Sequence, residues 1–169
     1  MNKPQPDEYA PFFKGYVEMV GEDDVLEKLS SNRKKTYYFF LSIPNEKAGF
    51  AYDEGKWTIK EVLGHMTDTE RVMSYRLLRF SRADQTPLAG FNENFYTSRA
   101  NYKERDLEDL ADEFSALRKA NLYLYKNLNE GQLKIKGKAS NALVSVKALL
   151  YIIAGHEMHH INIIKERYL

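Results

Sequence analysis

The chain contains no cysteine among its 169 residues. That absence excludes disulfides, thiolate metal ligation and a cysteine nucleophile. It fits a reducing compartment, and a cytoplasmic location is expected. An excess of charge of one sign is missing too: 25 basic residues stand against 24 acidic ones, for a formal net charge of +1. No nucleic-acid partner is therefore expected. The charges are interspersed as on solvated helix faces and form no tail. Long hydrophobic runs are also lacking. The apolar stretches fall far short of the roughly 20 residues that a membrane helix needs, so no membrane partner is expected. The first residues, Met1 to Glu8, contain no apolar segment of the signal-peptide kind. No repeat or low-complexity segment divides the chain, and its length suits one domain over residues 1–169.

What is present is amphipathic helix. Val25, Leu29, Tyr37, Phe40 and Leu41 recur at helical spacing, predicting a helix over about 23–43 that Pro44 ends. Residues 9–20 predict a short helix before it. Thr58-Ile59-Lys60-Glu61 reads as a capping box, with Trp57 placed to pack ahead of the cap. Ile59, Val62, Met66, Thr69, Val72, Met73 and Phe80 then continue one face to about residue 82. Residues 83–105, with Pro87 and Gly90, read as a long irregular connection of the kind that often carries function. Leu107, Leu110, Phe114, Leu117, Leu122, Tyr125 and Leu128 predict a third long helix over about 106–128. A turn-rich stretch, 129–141, follows. Ser145 reads as the cap of a last helix reaching about residue 167, with Leu149, Ile152, Ile153, His156, His160 and Ile163 as its inner stripe. No segment alternates convincingly as a strand. The expected fold class is all-α: a four-helix bundle with a short N-terminal helix. The length of the 83–105 connection implies that the second and third long helices are not simple hairpin neighbours.

Histidine is scarce but concentrated. Three of the four histidines fall in His156-Glu157-Met158-His159-His160, and the fourth is His65. On a helix His156 and His160 share one face, one turn apart. Two imidazoles in an apolar stripe are costly to bury without partners, and a metal ion provides them. His65, between Val62 and Met66, taken alone reads as a hydrogen-bonded core histidine. Brought across the bundle it would complete a three-histidine site for zinc, nickel or another borderline divalent ion, with a position left open for water or substrate. His156 with His159 is an alternative pair, which leaves His159 as ligand, support or solvated flank.

The same residues match His-Glu-x-x-His, in which the glutamate is a general base of zinc proteases. The setting is poor for a protease, since a third downstream ligand is missing and no sheet is expected to order a peptide. Glu157 stands as a candidate base or as an anchor for a ligand. Asp68 and Thr69, one turn after His65, could face the site, with Asp68 a second candidate in proton transfer; both also read as ordinary polar helix residues. Arg76, further along a similar face, could bind an anionic substrate or pair with a carboxylate across the bundle. Asn92, Asn94 and Tyr96 on the long connection could line a pocket, or simply form turns. Trp57 and most of the tyrosines read as packing residues.

The run from Trp57 to His65, followed by Asp68-Thr69-Glu70-Arg71 and Tyr75-Arg76, resembles the DinB-like (YfiT-like) superfamily. So do Pro87-Leu88-Ala89-Gly90-Phe91 and Ala154-Gly155-His156-Glu157-Met158-His159-His160. The resemblance spans about residues 23–165, and the two motifs in this order are specific where either alone is not. It implies an up-down-down-up bundle, a divalent metal on His65, His156 and His160, and a homodimer. Relatives include S-transferases that use low-molecular-weight thiols and an isomerase; many others are described as metal-dependent hydrolases. The expected function is a metal-dependent thiol S-transferase acting on a small molecule, with a low-molecular-weight thiol as co-substrate. A hydrolase using a metal-activated water, with Glu157 or Asp68 assisting, and a non-catalytic, stress-associated metal-binding bundle are the alternatives.

Overall fold

Local capping signals set the helix limits in the computed structural model, which describes residues 1–169. The first helix, α1, spans Lys14–Val20. The Asp24 carboxylate accepts the Leu26 and Glu27 amides and opens α2, Val25–Leu41. Thr58 and Glu61 form the expected reciprocal capping box at the start of α3, Ile59–Ser81. A short helix, α4 (Glu93–Arg99), is followed by α5 (Leu107–Tyr125) and the one-turn α6 (Glu130–Leu133). Strands β1 (Lys136–Ala139) and β2 (Ala142–Ser145) lead into α7 (Val146–Arg167), whose first turn is capped by Ser145 accepting the Ala148 amide at 2.9 Å.

Helices α2, α3, α5 and α7 make the four-helix bundle. Cross-bundle pairs give their directions. Leu29 of α2 meets Arg118 of α5 while Arg33 meets Ser115, so these two run antiparallel. Thr36 of α2 meets Glu157 of α7, and Phe39 meets Lys165, so these run parallel. His65 of α3 lies against His160 of α7, while Arg76 and Leu149 line one pocket, an antiparallel pair. Together these give the up-down-down-up order. The neighbours α3 and α5 run parallel, and a parallel pair needs a long crossover rather than a hairpin turn. That requirement accounts for the length of the 83–105 connection.

Two expectations need correction. The connection is not wholly irregular: Asn92 accepts the Phe95 amide at 2.9 Å and starts α4. A hairpin also stands where no strand was expected. β1 and β2 pair antiparallel from Lys136 with Ser145 to Ala139 with Ala142. Their two-residue turn, Ser140-Asn141, has φ of 50° and 64°. Positive φ at both positions is the turn that matches strand twist, but it usually announces itself by Asn-Gly or Asp-Gly. Leu88 of the connection bonds to this hairpin through Lys138 and Ser140, fixing the crossover against it.

The apolar core is in two parts. One joins α1, the first half of α7, the hairpin and the C-terminal half of α3; the other joins Phe40, the N-terminal half of α3, α5 and Ile164. Between them lies a buried polar belt containing His65, Thr69, Glu70, Arg118, His156 and Glu157. The first half of α7 is buried on all sides because α1 covers the face turned away from the bundle. The crossing is close at Gly155, where an added Cβ would meet the backbone of Tyr16. Backbone cannot rotate away. Gly155→Ala is therefore expected to push α1 off α7 and cost about 1–3 kcal/mol, read as a lower urea midpoint. An unchanged midpoint would show that α1 is not held there.

Candidate metal centre

Each half of the histidine set is placed by its own helix. One helical turn separates His156 from His160 on α7, so both rings project toward α3, and α3 presents His65 to them. The Nε2 atoms of His65 and His156 lie 3.0 Å apart, and those of His160 and His156 lie 3.1 Å apart. All three donor atoms fall within 4.8 Å of one another. His159 is not among them; its ring lies against Tyr16 and His160, so the alternative pairing of His156 with His159 is not formed.

The set fits a divalent ion on two grounds. Two nitrogens each about 2.1 Å from an ion are separated by roughly 3.0–3.4 Å over ordinary coordination angles, and the observed spacings lie at the short end of that range. The rings are also chemically ready. Burial lowers the His65 pKa to about 4 and that of His160 to about 3, with the neighbouring histidines adding to the effect. His156 is lowered as well, first by burial and then by His160 and His65. Near neutral pH all three are uncharged and can offer lone pairs. The Trp57 ring packs on His65 with centroids 4.6 Å apart, and the Tyr16 ring stands edge-on to His156 at 5.6 Å. These aromatic contacts limit how the imidazoles can turn.

His65 and His156 open onto a pocket of about 320 Å³. α3 lines it with His65, Thr69, Met73 and Arg76, which share one face at helical spacing. Phe12, Phe13 and Tyr16 close one side, and hairpin residues Ser140, Leu143 and Val144 another. Burial, then the nearby Glu93, raises the Tyr16 pKa.

Several expected site residues lie elsewhere. Glu157 is 1 % exposed. Its Oε2 accepts Arg118 Nη1 at 2.8 Å and its Oε1 accepts the Thr36 hydroxyl at 2.5 Å. As the residue after His156 it points about 100° round the helix from that ring, away from the donors. A carboxylate engaged on both oxygens is not placed to act as the expected base. Asp68, also expected as a candidate base, is turned from the pocket and accepts the Tyr102 hydroxyl and Arg71. Thr69 and Arg76 do face the pocket. Asn92 is occupied as the α4 cap, and Asn94 and Tyr96 lie on the exposed face of α4. The same segment instead turns Phe91 toward the pocket and sets the exposed Glu93 at its rim.

A buried ion group that the sequence motifs do not announce lies beside the histidines. Arg118 Nε and Nη2 grip the two oxygens of Glu70 at 2.8 Å each, and Nη1 holds Glu157. Asn121 bonds Glu70 and Ser74. A signal was available: Arg118 sits on the inner ladder Leu107, Ala111, Phe114, Leu122, Tyr125, and Glu70 sits between Met66 and Met73. A charge at a core position demands a partner. Tyr16 gave no comparable signal, because only packing brings α1 over the pocket.

The family model of the DinB superfamily matches residues 28–164. No curated protein matches the chain. Among solved structures, YfiT from Bacillus subtilis, described as a probable metal-dependent hydrolase with an unusual four-helix bundle topology, superposes with a TM-score of 0.73 at 18% identity, over 98% of this chain and 90% of that one. The DinB-like protein YjoA from Bacillus subtilis gives a TM-score of 0.58 at 20% identity, over 82% of this chain and 84% of that one. These likenesses establish the fold.

Proposed function

The chain belongs to the DinB superfamily, and from that premise we propose that it is a metal-dependent thiol S-transferase whose divalent ion is held by His65, His156 and His160. The observation that carries this reading is the set of three converging imidazoles, two of which, His65 and His156, line a mainly apolar pocket. A bound divalent ion there supplies Lewis acidity, which favours the anionic form of a thiol.

The chain's own residues supply position and environment. The rings of Phe12, Phe13 and Phe91 present an apolar wall to an electrophile and keep water from it. Tyr16 and Trp57 hold two of the imidazoles in orientation. The nucleophilic sulfur comes from a low-molecular-weight thiol, since the chain has no cysteine. In the transfer its S–H proton passes to solvent, its sulfur bonds to the electrophilic carbon, and the bond from that carbon to the leaving group breaks, the electron pair departing with that group, which solvent protonates. A hydrolase, in which water takes the thiol's place, is the second reading. Against it stands the lack of a free carboxylate base beside the donors, given the engagement of Glu157 and Asp68; Glu93 stands only at the pocket rim.

The deciding experiment incubates zinc- or nickel-loaded protein with a generic electrophile and a panel of thiols: bacillithiol, mycothiol, glutathione, cysteine. Thiol conjugate formed faster than in metal-stripped protein is expected. Metal-dependent hydrolysis without a conjugate would replace this reading by the hydrolase, and neither product would leave a metal-binding bundle.

A further inference from the structure

The bundle buries two arginines, and only one of them is paired. Arg118 is bracketed by Glu70 and Glu157. Arg76 is 4 % exposed, yet burial alone acts on its pKa, lowering it, with no carboxylate opposing. Its Nη2 donates to the Ala89 carbonyl and the Ser140 hydroxyl, each at 2.9 Å. Nη1 reaches only the Met73 sulfur at 3.6 Å, a weak acceptor. No protein acceptor takes the Nε–H. Buried charges are almost never left without a counter-charge, and this one faces the same pocket as His65 and His156.

A second group in that pocket lacks a partner. The Thr69 hydroxyl is the one buried side-chain polar atom with no hydrogen bond, and the residue is 5 % exposed. It lies one turn after His65 on the face that continues to Met73 and Arg76. From the histidines to Arg76 the pocket thus runs metal donors, hydroxyl, thioether, guanidinium. His65 and Arg76 are separated by about 16 Å of helix axis at 1.5 Å per residue. The arginine side chain leans toward the helix N-terminus, which shortens the reach to the histidines. Phe91, Leu149 and Ile152 line the space between with apolar surface.

We infer that this pocket takes a small, largely apolar carboxylic acid, with its carboxylate on Arg76, a polar atom at Thr69 and its other end at the histidines. The inference rests on reading the pocket as the substrate site, and it names the substrate class. A planar carboxylate matches the guanidinium's parallel donors. Glu93, exposed at the rim, disfavours a dianion such as a phosphate monoester. A purely structural role for Arg76, stapling the Gly90 segment to the hairpin turn, uses Nη2, leaves Nη1 only the weak Met73 acceptor and gives the Nε–H none.

Calorimetric titration of the full-length protein with 4-phenylbutyrate and with its uncharged amide tests this, on chelator-stripped protein and again after zinc loading. In stripped protein the acid cannot bind through a metal. It is expected to bind at least tenfold tighter than the amide, as charge-assisted hydrogen bonds imply. That preference should vanish in Arg76→Gln and persist in Thr69→Val, where both ligands weaken together. Equal affinity for acid and amide, no binding of either at millimolar concentration, or a preference that survives Arg76→Gln would overturn the inference. The acid–amide comparison in the unaltered protein decides even if Arg76→Gln does not fold. Zinc content is measured on the same samples. One zinc per chain without acid preference sinks this inference alone, whereas acid preference without zinc sinks the metal reading alone.

Discussion

His160→Ala is expected to lower bound zinc or nickel from about one ion per chain to a trace, and His159→Ala, next to it, to leave metal content unchanged. The contrast follows from placement. His160 offers Nε2 to the shared centre, 3.1 Å from that of His156, while His159 leans on Tyr16 outside it. A zinc site worth about 10–16 kcal/mol over four ligands loses roughly 3 kcal/mol or more with one of them, over a hundredfold in affinity. The substitution should spare the fold. His160 is only partly buried, and its removal relieves crowding among three imidazoles. Metal-free variant and unaltered protein should therefore melt at similar temperatures, and added zinc should raise the melting temperature of the unaltered protein alone. His65→Ala should match His160→Ala in metal content. Equal metal in all four proteins would show that the three imidazoles are not the binding site.

Arg118→Leu carries the largest expected cost in stability. The side chain is fully buried and makes four hydrogen bonds, two to Glu70, one to Glu157 and one to the Leu29 carbonyl. Leucine leaves two carboxylates in the core without a cation. Breaking a buried pair in this way costs about 3–5 kcal/mol, out of a total near 5–15 kcal/mol for a domain. The urea midpoint should fall by roughly a fifth or more. Glu70→Gln and Glu157→Gln added to Arg118→Leu should recover much of that loss, since the cost lies in stranded charge rather than lost attraction. If the single and triple variants are equally destabilised, the cost is one of packing and the charge account fails. Metal affinity should also fall in the single variant. Glu157 precedes His159 and His160 on α7 and follows His156, so a released Glu157 loosens the turn that carries both α7 donors.

The helices were legible because their causes are local. Thr58 with Glu61, Ser145 and the apolar ladders of α3, α5 and α7 act within a few residues of themselves. The hairpin was not legible, because Ser140-Asn141 takes up positive φ without the usual glycine and because its strands are only four residues long. Near the end of α7 the inner stripe passes through the fully buried Ile164 and not the expected Ile163. Among site residues, His65, Thr69 and Arg76 fell on the pocket face because helical spacing puts them there. Asp68 and Glu157 did not, each being one position off that face. On a helix a single step turns a side chain by about 100°.

By itself, the sequence determined the helical class, the four long helices, the helix caps and the one-turn spacing of His156 and His160, together with the superfamily motifs. Each of these depends on spacing along a helix or on chemistry between near neighbours. Only the tertiary structure decided which histidine of 159 and 160 joins His65, that Glu157 belongs to Arg118, that Arg76 stays unpaired, and that α1 closes the pocket with Tyr16. Those outcomes depend on which helix faces meet across the bundle. Burial then fixes the rest: a charge in the core must take whatever partner packing brings within reach, and where packing brings none, the site is left to bind one.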